Sequence, residues 1–138
     1  VLKESMFHLI RNSNLEVTFD ISGADDHLPS VAFNIGIAWK MPFQKARIEI
    51  TECWFECLAI DAFHSELKAL MNLESGTVTL SDLSHNPIFA FAKFGNDLVT
   101  TISTQDTCEL GQISLKVKGY SPELSEVAEK LGAFEKWW

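Results

Sequence analysis

The sequence predicts an α+β domain, in which a mainly antiparallel β-sheet of about seven to eight strands packs with two α-helices, one between the strand groups and one C-terminal. Three observations carry this. Extended runs alternate apolar and polar residues, only two stretches show the three-and-four apolar spacing of helices, and the strands come in consecutive groups, as hairpins do. No sequence repeat, low-complexity tract or linker divides the chain, so residues 1–138 are read as a single domain.

Taken in order, residues 4–11 (ESMFHLIR) form a short apolar run suited to an edge strand. In 15–22, Leu15, Val17, Phe19 and Ile21 alternate with Glu16, Thr18, Asp20 and Ser22, so one face is buried and one wet. Residues 23–30 (GADDHLPS) are a loop by composition. Residues 31–39 set Val31, Phe33, Ile35, Ile37 and Trp39 against the small or polar Ala32, Asn34, Gly36 and Ala38. Residues 44–53 oppose Ala46, Ile48 and Ile50 to Lys45, Arg47, Glu49 and Thr51. The first helix spans 57–72, with Ile60, Phe63, Leu67, Leu70 and Met71 as its core stripe, and residues 74–76 break it. A strand through Val78 and Leu80 follows, then a hairpin: strand 87–94, the turn Gly95-Asn96-Asp97, and strand 98–105. Both faces of IFAFAKF (88–94) are apolar, which predicts a central strand covered on both sides. A last strand covers 111–120. The closing helix takes Ser121 as N-cap and Pro122 as its first residue, buries Leu124, Val127, Ala128, Leu131 and Phe134, and weakens at Gly132.

At 46% hydrophobic and 22% charged the 138 residues suit a globular core without staples. A net charge of −8 argues against binding nucleic acid, where phosphates demand clustered Lys and Arg, and favours basic protein partners. No apolar run approaches the ~18 residues that a membrane span needs. Cys53, Cys57 and Cys108 cannot all pair within one chain and complete no zinc set, so they are expected to be reduced, packed thiols in a cytoplasmic protein.

Catalytic signatures are missing from the pattern. His64 and Glu66 lie two apart on a helix and face different ways; His85 near Asp82 reads as a solvated turn; His27 after Asp25-Asp26 lacks the oxygen set of a cation site. No nucleophile elbow, glycine-rich phosphate loop or metal motif occurs, so no catalytic residue, cofactor or metal is expected. Surfaces remain. Glu49, Glu52, Glu56, Asp61 and Glu66 cluster about the start of the first helix with Trp54 and Phe55 among them, which suits an acidic docking patch with aromatic anchors. Trp137 and Trp138 form a second candidate. Phe33, Trp39, Phe89 and Phe91 would line an apolar pocket in an alternative small-molecule carrier, and a structural homo-oligomer is a third reading.

Segments CLAIDAFHSELKAL (57–70), SGTVTLSDLS (75–84), NPIFAFAKFGNDL (86–98) and ISLKVKGYSPELSEVAEKL (113–131) together resemble a broad group of small bacterial proteins, some similar to immunity proteins of the wall-associated toxin system. The likeness is one of hydrophobic pattern over residues 15–131. It implies an antiparallel sheet packed on helices and a non-enzymatic role, and it assigns no individual residue. Joined to the small size, the acidity and the lack of a catalytic motif, it leads to the expectation of an immunity-type protein that neutralises a basic toxin domain by occluding its active site.

Overall fold

A computed structural model describes residues 6–105, 108 and 110–138. Four strands, β1 (Met6–Arg11), β2 (Leu15–Asp25), β3 (Ser30–Met41) and β4 (Gln44–Glu56), form one sheet in chain order. Helix α1 (Cys57–Leu70) leads to β5 (Ser75–Ser81), β6 (Pro87–Phe94), β7 (Asp97–Gln105) and β8 (Gln112–Tyr120), again in chain order, and α2 (Glu123–Ala133) closes the chain. All neighbouring strands are antiparallel. The eight strands thus divide into two sheets, and the order of four strands and a helix occurs twice. This repeat is one of shape, invisible as repeated letters.

The helices are exchanged between the halves. Helix α1 follows the first sheet but packs against β5, and its Phe63 meets Phe91 of β6 at 6.0 Å. Helix α2 follows the second sheet but packs against β1, and Phe134 just beyond it stacks on Phe7 at 4.8 Å and meets Phe33 of β3 at 6.1 Å. Within the first sheet Phe19 lies 4.9 Å from Phe33, and between the sheets it lies 5.5 Å from Phe89. Phe19, Phe33, Phe55, Phe63, Phe89 and Phe91 are buried, and their rings meet tilted, as ring quadrupoles prefer, in two groups: Phe19, Phe33, Phe55 and Phe89 in one, Phe63 and Phe91 in the other.

Strand β4 holds the fold's main irregularity. Ile50 pairs with Ile35, but Cys53 pairs with Phe33, so one extra residue is inserted and Glu52 takes φ 51°. The Asn34 side-chain oxygen accepts the Glu52 N–H at 2.9 Å and holds the bulge. Its effect is a change of phase: Ile48 and Ile50 lean inward before it, Cys53, Phe55 and Cys57 after it.

Several boundaries differ from the sequence reading for local reasons. Strand β2 runs to Asp25, and the turn is confined to 26–29. Pro122 already has helical φ −58° and ψ −21°, and Ser121 contributes its backbone carbonyl to the Leu124 N–H rather than a side-chain cap. The inner face of β6 is buried as expected, but its outer face is covered only at its start: Ile88 is buried, Ala90 and Ala92 are half-buried and Phe94 is 61% exposed. Ala46, placed on a buried face by its spacing, is exposed because β4 is an edge strand.

Lys93 is the one charged residue in the buried set among the described residues. Its Nζ donates to the carbonyls of Met71 at 3.0 Å and Leu70 at 3.3 Å, the last turn of α1. No glycine lies in 71–74 to close that helix, so a cation from β6 caps it and meets the negative end of its dipole.

Candidate functional site

A groove of about 230 Å³ opens between α1 and the turn that joins β5 to β6. Its floor is apolar, from Ala59, Ala62, Phe63 and Leu80, and its polar wall carries Glu56, Glu66, Asp82 and His85. Helical spacing puts Ala59, Ala62, Phe63 and Glu66 on one side of α1, while β5 supplies Thr79 and Ser81 opposite. None of the lining residues is Lys or Arg.

The turn is built by Asp82, whose Oδ1 accepts the N–H groups of Ser84 and Asn86, both at 2.9 Å. His85 sits at φ 64° with its N–H donated to the Asp82 carbonyl, and is exposed. The Leu83 N–H bonds the Trp54 carbonyl at 2.9 Å and ties the turn to β4. Among the described residues, no three His, Cys, Asp or Glu side chains converge as a metal site, and no helix is long and apolar enough to cross a membrane.

The acidic patch expected from the sequence is therefore divided. Glu56 and Glu66 both line the groove, together with Asp82, whose place in the turn was legible but whose approach to α1 was not. Glu49 and Glu52 lie on β4 away from it, at and before the bulge. Asp61 is engaged elsewhere: its carboxylate accepts Trp138 Nε1–H at 3.0 Å and Lys136 Nζ at 3.2 Å. Phe55 corrects the expectation of an anchor, because the bulge turns it into the core at 0% exposure. Trp54 lies half-buried over β2, its ring close enough that a β-carbon on Gly23 would stand 3.3 Å from it.

The two terminal tryptophans touch edge to face at 5.8 Å but differ in burial. Trp138 packs on Phe134 at 6.0 Å and on Asp61, while Trp137 stays 42% exposed. Beside them His64 packs so closely on α2 that a β-carbon at Gly132 would lie 3.1 Å from its ring. Burial, then the Lys68 and Lys136 charges, lower its pKa below the ordinary histidine value. His8 Nδ1 stands 3.2 Å from Glu16 Oε1 without hydrogen-bond alignment, and the His27 N–H is held by Asp25 in a polar turn.

The pocket residues of the carrier reading do not enclose a pocket. Phe33, Phe89 and Phe91 are 0% exposed and in contact with other rings, and Trp39 is only partly buried at the rim of the core. The space that Phe91 does line holds about 10 Å³, the threshold for a single water.

Burial also separates the cysteines. Desolvation, followed by the Asp82 charge, pushes the Cys53 thiol up to about 12, and desolvation with Asp61 raises Cys57 as well. Cys108 departs from the expected packed thiol and is exposed. Alkylation of the native protein near neutral pH is expected to label Cys108 alone, and all three cysteines after denaturation; mass spectrometry of the labelled peptides reads the result.

No family model matches the chain, and no curated protein or solved structure gives a significant match. The groove is accordingly read from its own chemistry.

Proposed function

We propose that the protein is a non-enzymatic binding protein of immunity type, which neutralises a basic toxin domain by covering its active site, and that the α1 groove is where it docks. The observation that carries this is the groove's composition: three carboxylates around an alanine floor, with no basic residue in the lining. Lys or Arg side chains of the partner lay their aliphatic stems on Ala59 and Ala62, one bringing its charge to Glu56 and another to Glu66. Leu58, 75% exposed on the same helix, offers apolar contact at the margin. The net charge of −8 steers a basic partner to this surface before contact.

Capture from lysate of the source cells, washed at low and high salt, tests the reading when run beside the double variant Glu56→Lys/Glu66→Lys. The expected result is one basic protein that leaves at high salt, whose activity falls on adding the wild-type chain, and whose association with the variant is slower by about tenfold or more. Equal capture by the variant, or a captured protein whose activity is unaffected, overturns it.

A further inference from the structure

Of the four sheet edges, β1 packs with α2 and β5 with α1, and among the described residues β8 and the part of β4 before its bulge pair with no further strand. Folded proteins blunt such edges, usually with lysines. Strand β8 follows that rule: its charged residues are Lys116 and Lys118, and no self-pairing register offers either of them an acid. Strand β4 does not. Its regular stretch reads Lys45, Ala46, Arg47, Ile48, Glu49, Ile50, Thr51, with basic residues at one end and an acid towards the other.

We infer that β4 is the dimer seam of this protein, pairing antiparallel with β4 of a second copy about a two-fold axis at Ile48. This register puts Ile48 opposite Ile48 of the second copy and Ala46 opposite Ile50 on the inner face. On the outer face Arg47 stands opposite Glu49, and Glu49 opposite Arg47. Residues of the same parity meet, so the backbone groups that turn away from β3 find their counterparts across the seam. The two four-stranded sheets become one of eight strands.

Three features of the single chain support the second copy as occupant. The strand is self-complementary in charge and in apolar residues, which a heterologous partner would not require. Arg47 and Glu49 have side chains 78% and 70% exposed and 3.6 Å apart along one strand, available for exchange into cross-strand pairs. Phe43, 98% exposed at the tip of the β3–β4 turn, comes beside the second copy's bulge at Glu52, which gives cover to an otherwise unexplained ring. The bulge also ends the regular stretch and so fixes the seam's length. The groove on α1 lies beyond the bulge and stays open.

Sedimentation equilibrium over a wide range of protein concentration tests the seam. The expected result is a reversible dimer for the wild type. Arg47→Glu, which sets Glu opposite Glu twice, raises the dissociation constant by about tenfold or more, and Arg47→Glu/Glu49→Arg restores it. Because both side chains are exposed, circular dichroism and the melting temperature of the monomer stay unchanged. A wild type that remains monomeric at all concentrations overturns the inference, as does a dimer that ignores Arg47→Glu or one that the charge swap fails to restore.

Discussion

Phe33→Ala is expected to destabilise the protein by about 3–5 kcal/mol, read as a lower urea midpoint at unchanged slope. Phe33 is 0% exposed and touches four rings, Phe7, Phe19, Phe55 and Phe134, from β1, β2, β4 and the segment after α2. Removing it takes away the transfer energy of a benzyl group and leaves a space that so many independent elements cannot close together. The variant also separates the two functional readings. If the core is solid, an apolar dye binds the variant and not the wild type, because only the engineered cavity has room. Equal binding by the wild type would revive the carrier.

Lys93→Ala is expected to cost about 2–4 kcal/mol, from lost burial of the stem together with the lost bonds to the α1 carbonyls. Lys93→Met keeps the stem and removes the donors, so it should recover part of that loss. Denaturant melts of the two variants divide the effect. Amide exchange at the end of α1 should quicken in both, since the helix has no glycine cap of its own. A Lys93→Ala protein as stable as the wild type would remove the cap from the account.

Much of this architecture was legible because burial on one side imposes a period. Leu15, Val17 and Phe19, or Ile60, Phe63 and Leu67, announce their elements and the face each buries. What periodicity does not say is what the face is buried against, so two sheets with exchanged helices looked like one sheet with two helices. The bulge shows the second limit. Carried on from Ile48 and Ile50, the alternation would send Trp54 inward and Phe55 outward, whereas Phe55 looked like an anchor only because it lies among the acids in the sequence. One inserted residue at Glu52 reverses both. The acidic groove was half visible, since Glu56 immediately precedes α1 and Glu66 lies on it, whereas Asp82 comes to the groove only through the fold.

The exchange of helices also sets when this chain can finish folding. As it leaves the ribosome, the first sheet is complete at Glu56, but Phe7 and Phe33 still lack Phe134, made almost eighty residues later; Phe63 likewise waits for Phe91. Neither half can close its own core, and the contacts that close it join distant parts of the sequence, the arrangement that slows folding most. Translation of α2 and Phe134 is thus the step that closes the first sheet, and until then its apolar side is exposed to whatever the cell supplies to shield it.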